Sequence, residues 1–229
     1  MQPVEVENFI ARGLERMGLH LENQGEVLSL LAVYFQELKK WNRRINLVGR
    51  KQEDQVILEN HFLDSLTLLP LLEQEQLEPD KLLDIGTGAG FPGLVLKTAM
   101  PHLSVVLVEP RQNRYYFLKH IVRTLQLDGV ELLRVRLERN NQPQELRKQK
   151  FSIITSRAFS NIEEFVGLSS GLLAAGGKII CMKGPQGVEE LKGFQQHALS
   201  KEFTADLQKA QLPFSRADRI LVILKKCLK

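Results

Sequence analysis

Cysteine is nearly absent: the 229-residue chain has two, Cys181 and Cys227. Two thiols build neither a disulfide scaffold nor a cysteine-based zinc site. Long apolar runs are missing as well, and none approaches the ~18 residues a membrane span needs. The opening residues, MQPVEVENFI, carry early acids and lack the basic-then-apolar order of a secretory signal. A composition of 43% hydrophobic and 25% charged residues excludes disorder, collagen-like repeats and coiled-coil fibres. These absences lead to the expectation of a soluble cytoplasmic chain. A chain of this length buries about 70% of its unfolded surface, enough for one stable domain with an extension.

The charge is unevenly spread. Residues 1–80 hold 8 Lys/Arg against 14 Asp/Glu, whereas residues 81–229 hold 23 against 13. Inside the acidic part, Lys39, Lys40, Arg43, Arg44, Arg50 and Lys51 form a basic run with no acid among them. A basic face suits a polyanion, although such a run is also what a solvated helix end looks like.

Hydrophobic periodicity divides the chain near residue 75. Val27, Leu30, Leu31, Tyr34, Phe35, Leu38 and Trp41 form one stripe at the 3.6-residue period, and Leu58, Phe62, Leu66 and Leu69 mark a second helix over about 54–69. Residues 1–75 are therefore expected to be a helical extension. From residue 81 onward, strands predicted at 81–86, 104–109, 130–135, 151–155, 177–182 and 219–225 alternate with helices near 92–99, 112–127, 161–173 and 187–199. That alternation predicts an α/β fold with a mostly parallel, doubly wound sheet over 76–229. One further edge strand is expected within 200–213.

The first strand runs into Asp84-Ile-Gly86-Thr-Gly88-Ala-Gly90-Phe91-Pro-Gly93. Glycines between a strand and a helix allow positive φ and close approach of a ligand, and the helix N-terminus offers unpaired N–H groups. A dinucleotide fingerprint counted from Gly86 needs glycine at 91, where Phe91 stands. A P-loop would need Gly-Lys-Ser/Thr, which does not follow. Glu109, at the end of the second strand, can accept from both hydroxyls of a ribose. Glu138, beyond the third strand, is either an adenine-side contact or a surface glutamate.

The spacing Asp84, Gly86, Gly88, Gly90 resembles motif I of class I S-adenosylmethionine (SAM) methyltransferases. Trp41-Asn-Arg-Arg-Ile-Asn46-Leu47, His61-Phe-Leu-Asp64-Ser65-Leu66, the Phe-Pro-Gly continuation of the loop, Thr155-Ser-Arg157-Ala158-Phe159 and Met182-Lys183-Gly184 carry a closer resemblance. Together they are similar to the bacterial small-subunit ribosomal RNA guanine-N7 methyltransferases (RsmG, formerly GidB), over about residues 30 to 225. The resemblance implies a Rossmann-like, seven-stranded class I fold with an N-terminal helical extension, and methylation of guanine N7 in the 530-loop region of 16S rRNA. It implies SAM as cofactor, with Gly86, Phe91, Leu137, Glu138 and Arg157 matching the family's contacts; Gly88, Gly90 and Glu109 join them from the loop and ribose readings above. It implies 16S rRNA or the small subunit as partner, where Lys39, Lys40, Arg43, Arg44 and Arg114 are expected from their charge, His61 from the family motif and Lys183 from its place at the end of the fifth strand. Arg111, Lys119, Arg123, Arg134, Arg136 and Arg139 are further candidates for RNA phosphates. No metal, membrane or protein partner is expected, and a monomer is. Two positions depart from the family pattern: Leu137 replaces a usual alanine, and Asn113-Arg114 stands where Lys-Arg is common.

The chemistry of the residues is consistent with this. No Asp/Asn-Pro-Pro-aromatic motif follows the fourth strand, which disfavours methylation of exocyclic amines. Cys181 sits in an apolar strand and reads as a core thiol rather than a nucleophile. Guanine N7 is a free lone pair at neutral pH, so its methylation needs positioning and no general base. His61, Asp64 and Ser65 fall within about one helical turn without an oxyanion loop and do not make a hydrolase triad. His61 is either a helix-packing residue or part of the pocket. A methyltransferase of small molecules or proteins, and a SAM-binding module without turnover, remain the alternatives.

Overall fold

The computed structural model describes residues 1–73, 81–139, 142–157, 159 and 161–227. Two long helices come first, α1 (Pro3–Met17) and α2 (Gln24–Asn42). A helical path of mixed pitch follows: α3 (Asp54–Ile57), a π-helical segment (Leu58–Leu63), α4 (Asp64–Leu66) and α5 (Leu69–Glu73). Strand–helix alternation then runs β1 (Lys81–Ile85), α6 (Gly93–Ala99), β2 (Ser104–Val108), α7 (Gln112–Thr124) and β3 (Val130–Leu133). It continues through α8 (Gln144–Arg147), β4 (Phe151–Ser156), α9 (Ile162–Ser169), β5 (Leu173–Lys183), α10 (Gly187–Gln195), β6 (Phe203–Gln211) and β7 (Asp218–Lys226).

The strands form one seven-stranded sheet in the order β3-β2-β1-β4-β5-β7-β6. β1 to β5 are parallel, and β7 runs antiparallel to both β5 and β6. All six expected strands form, and the edge strand expected within 200–213 is β6. β5 begins at Leu173 rather than at 177, because a register shift follows the pair Phe151↔Leu173, near Gly176 at φ +75°. The short helix α8 has too few apolar residues to announce itself, and only its Leu146 is buried.

Both faces of the sheet are covered, so successive strand residues alternate between two apolar cores. Leu82, Val105, Leu107, Ile153, Ile180 and Leu221 join one core, and Leu83, Val106, Val108, Ile154, Ile179 and Val222 join the other. The first core also contains Val6, Ile10, Leu31, Tyr34, Phe35 and Leu38 of α1 and α2. The N-terminal helices thus share a core with α6 and α7 on one face of the sheet.

The helix expected over 54–69 forms with its apolar positions Leu58, Phe62, Leu66 and Leu69 buried, but its middle is π-helical. There the Asp64 N–H donates five residues back to the Glu59 carbonyl. The extra residue per turn turns Glu59 inward and aims Asn60, His61 and Asp64 at the sheet edge. Glu59 is only 6% exposed, and its Oε1 accepts from the backbone N–H groups of Phe214 at 2.7 Å and Ser215 at 2.8 Å. Phe214 in turn stacks on Phe9 and lies under the Arg16 guanidinium. The β6–β7 turn is therefore clamped by the N-terminal helices, and that turn sets where β7 starts. Replacing Glu59 with Ala removes the acceptor of two part-buried backbone donors, so denaturant unfolding is expected to show a loss of about 1–3 kcal/mol. A change under ~0.5 kcal/mol would mean the clamp holds nothing.

Candidate active site

The glycine loop leaves β1 at the edge where the parallel strands end. Asp84 is fully buried, and its Oδ2 accepts from the Thr87 hydroxyl at 2.6 Å and the Gly93 N–H at 2.9 Å, closing the loop onto α6. Its Oδ1 is buried and finds no partner among the described residues. Burial pushes the Asp84 carboxyl up to about 6, against the pull of those two hydrogen bonds.

The loop's glycines serve different ends. A Cβ at Gly93 would meet Asp84 Oδ2 at 2.9 Å and collide with Leu107. One at Gly90 would meet Leu94 Cδ1 at 2.8 Å and collide with the Tyr34 hydroxyl. Those two glycines are required by the protein's own packing. Gly88 differs: at φ +64° a Cβ there would meet nothing closer than Arg114 Nη1 at 3.6 Å, an ordinary contact with a flexible side chain, so packing does not close this side of the loop. Gly86 also has positive φ, +72°.

Glu109 is buried at the end of β2, and each carboxylate oxygen accepts one backbone N–H: Gly88 to Oε2 at 3.0 Å and Arg111 to Oε1 at 2.8 Å. Each oxygen keeps a second acceptor direction. Arg114, in the first turn of α7, reaches the loop's open side and donates to the Asn46 carbonyl at 3.3 Å. The basic segment after α2 thus borders the glycine loop.

Phe91 is buried, so what the loop can offer a ligand here is its backbone. Its ring stacks on Tyr34 with centroids 5.7 Å apart and on His61 at 5.1 Å, while Phe62 approaches edge-on at 5.2 Å. The Arg157 guanidinium lies 5.3 Å from the same ring. Arg157 also donates to the Asn60 carbonyl and to His61 Nδ1, both at 2.7 Å, and pairs with Asp64 at 3.5 Å. The π-helical segment therefore gives Arg157, expected as a cofactor contact, a structural role as well. A guanidinium only donates, so His61 Nδ1 accepts and the ring's proton sits on Nε2. Nε2 is buried and finds no partner among the described residues. Burial and the neighbouring Arg157 charge push the His61 pKa down to about 3, so the ring is neutral.

A cleft of about 350 Å³ opens beside this cluster, lined by Asn60, His61, Asp64, Arg157, Lys183 and Arg219 among others. Lys183 donates to the Phe159 carbonyl at 2.6 Å and pairs with Glu190 at 2.5 Å. Arg219 holds Asp64 through Nε at 2.7 Å. It was not among the sequence candidates, yet it stands at the start of β7, and an antiparallel strand begins at the edge where its parallel neighbours end. Glu138 and Leu137 lie along another groove, of about 560 Å³, with Arg139, Asn161 and Glu163. Glu138 is exposed and Leu137 is buried in the second core.

The constellation is one of strand-end cations and a carboxylate at a glycine loop, and among the described residues no ionisable group lining the cleft is left free to act as a base. Residues 27–218 match the family described as GidB, rRNA small subunit methyltransferase G. The chain belongs to this family. It is 43% identical over 219 residues to the ribosomal RNA small subunit methyltransferase G of Desulfotalea psychrophila, covering 95% of this chain and 97% of the relative. It is 36% identical over 222 residues to that of Syntrophotalea carbinolica, covering 96% and 98%. Among solved structures, a SAM dependent methyltransferase from Aquifex aeolicus superposes with a TM-score of 0.54 at 16% identity, over 75% of this chain and 93% of that one. That likeness shows the class I methyltransferase fold.

In this GidB-family chain the Trp-Asn…Asn-Leu motif is a turn built around the buried Asn42. Asn42 Oδ1 accepts from the N–H groups of Leu47 at 2.9 Å and Val48 at 3.1 Å, which presents Arg43 and Arg44 to solvent. The other two lysines expected at the RNA are engaged: Lys39 pairs with Asp54 at 2.5 Å, and exposed Lys40 with Glu37 at 3.3 Å.

The Asp84 shift has a testable sign. A folded-state pKa raised to about 6 gives a stability contribution that is complete below the unfolded value and lost as pH rises through 6. Between about pH 3 and pH 8, wild-type stability is expected to fall relative to Asp84→Asn by on the order of 3 kcal/mol. Parallel pH–stability curves would show that Asp84 does not titrate in this range.

Proposed function

We propose that this chain transfers a methyl group from SAM to N7 of a guanine in the 530-loop region of 16S rRNA. The observation that carries the reading is the open side of Gly88 facing Glu109 and Arg114, in a chain of the GidB family. The residues fit SAM. The space at Gly88 is the cradle a Cβ would fill, and Glu109 keeps two acceptor directions for vicinal ribose hydroxyls. Gly86, Gly88, Gly90 and the Phe91 backbone would line it, with Leu137 and Glu138 toward the adenine and Arg157 bordering it from β4.

SAM supplies a methyl carried on a sulfonium, an electrophile that a lone pair attacks directly. N7 loses no proton when it is alkylated, so the site needs no base. His61 is neutral with its Nδ1 already occupied by Arg157, and Asp64 is held between Arg157 and Arg219. Asn60, His61 and Arg157 hold one another rigidly, and the cleft they share with Lys183 and Arg219 is the place for the target nucleotide. Fixed positioning of this kind is worth several kcal/mol of barrier. Arg43, Arg44 and Arg114 on the loop's open side would take RNA phosphates.

The test is incubation with methyl-labelled SAM and unmodified small subunits, followed by mapping of the modified nucleotide. Label at a guanine N7 of the 530-loop region is expected, at a single-turnover rate nearly flat from about pH 7 to 9. Label on protein, on another base atom or nowhere would overturn the assignment. For the cofactor site, Glu109→Ala is expected to weaken SAM binding in calorimetry by about 1.5–3 kcal/mol. Gly88→Val is expected to abolish that binding and keep a cooperative melt, because its side chain points into the cradle. Normal SAM affinity in both variants would place the cofactor elsewhere.

A further inference from the structure

A second concave site lies on α7, away from the glycine loop, and has no part in the methyl-transfer chemistry above. It is an open pocket of about 550 Å³. It is lined by the rings of Trp41, Tyr116 and His120, by Val122 and Leu132, and by the cations Lys119 and Arg123. None of these lining residues is acidic. Tyr116 is 48% exposed, the one exposed Phe, Tyr or Trp side chain among the described residues. Trp41 is half-buried and anchored, 5.7 Å from Phe117 and 5.2 Å from the His120 ring. His120 is fixed in turn by Glu37 at 2.6 Å. Trp41 and His120 are thus held in place beside the more exposed Tyr116, leaving a partly uncovered apolar slot with two exposed cations beside it.

An apolar aromatic lining with cations beside it matches one chemistry closely. A nucleobase out of its stack offers a flat apolar face to the rings, and its own phosphates lie within reach of the cations. A duplex hides its bases and could use only the cations. A protein side chain would use the rings but would leave both cations without a counter-charge. We infer that this pocket receives an unpaired nucleobase of the RNA substrate, flanking the target nucleotide, with Lys119 and Arg123 on the adjoining phosphates. The inference rests on the RNA reading above. It also fits the geometry of α7: Tyr116 to Arg123 follow Arg114 by two to nine residues, about 3–14 Å along the helix axis. An RNA strand passing the open side of the glycine loop at Arg114 would meet this slot next.

Trp41 is the chain's single tryptophan, so its fluorescence reports this pocket directly. The experiment titrates the whole protein, without SAM, with a short unstructured oligoribonucleotide, a blunt RNA duplex, inorganic polyphosphate and RNA-free small-subunit proteins. Saturable quenching by the oligoribonucleotide alone is expected. Tyr116→Ala should weaken that binding about tenfold, the scale of one lost base stack, and leave SAM affinity unchanged. Lys119→Gln with Arg123→Gln should flatten the log–log salt slope by about 1.4, two phosphate contacts on a single strand. Unaltered Trp41 emission at RNA concentrations that support methyl transfer would overturn the inference while sparing the proposed activity. Equal quenching by polyphosphate or duplex, quenching only by the proteins, or full affinity in Tyr116→Ala would overturn it too. Quenching is read without turnover, so a missing methyl transfer with normal quenching would fail the activity and not the pocket.

Discussion

The phenyl ring of Phe91 is where the separate parts of the chain meet. Tyr34 of α2 stacks on it, His61 and Phe62 of the π-helical segment pack against it, and Arg157 from the end of β4 lies beside it. Each aromatic pair adds roughly 0.5–1.5 kcal/mol beyond area burial, and a partly desolvated cation–π contact a similar amount. Tyr34 also donates its hydroxyl to the Ala89 carbonyl, so the same residue that stacks on the loop's ring holds the loop's backbone. The glycine loop is thereby braced by protein alone. Gly90 and Gly93 are needed for that bracing, and Gly88 is left over for whatever approaches from outside. A site shaped in advance spends less of its binding energy on ordering itself.

The same ring explains why the N-terminal helices cannot be regarded as a cover laid on a finished enzyme core. Their apolar residues belong to the core that α6, α7 and one face of the sheet share. Glu59 reaches from the π-helical segment to the β6–β7 turn, and Phe9 and Arg16 hold Phe214 in that turn. The start of β7 then delivers Arg219 to Asp64. A chain of contacts therefore runs from α1 to the cleft through elements distant in sequence, and damage at its far end would be felt as misplacement of Asp64.

Local patterns were legible and long-range pairings were not. The alternation of buried strand residues, the helical stripe from Val27 to Trp41 and the glycine loop with Glu109 are all set within a few residues of chain, where period and backbone sterics decide. The π-helical turn could not be read in this way, because its apolar spacing suits an α-helix equally well; the buried carboxylate Glu59 inside it was the available hint. Arg219 was missed because its relevance depends on β7 being antiparallel, a property of the sheet. Lys39 and Lys40 were read from charge and Lys183 from its motif and strand end, whereas Lys39 and Lys183 have acidic partners supplied by folding and Lys40 has Glu37 one helical turn away.

Those partners change what the charge count means. A lysine already paired with a carboxylate gives up part of its attraction for phosphate, or must break the pair to regain it. Lys183 resists leaving Glu190 because its ammonium is buried and would lose its counter-charge, although Glu190 itself is partly exposed. The cations of the cleft thus act mainly by holding position, with Arg157 and Arg219 fixed around Asp64 and Lys183 fixed by Glu190 and the Phe159 carbonyl. On the proposed reading, attraction for a polyanion would fall instead to exposed side chains outside the cleft, Arg43 and Arg44 after α2 and Arg111, Lys119 and Arg123 at and along α7. This division suits a nucleophile that arrives with its lone pair free. The inner charges need not move protons, only keep their places, while the outer ones gather the strand and remain sensitive to salt.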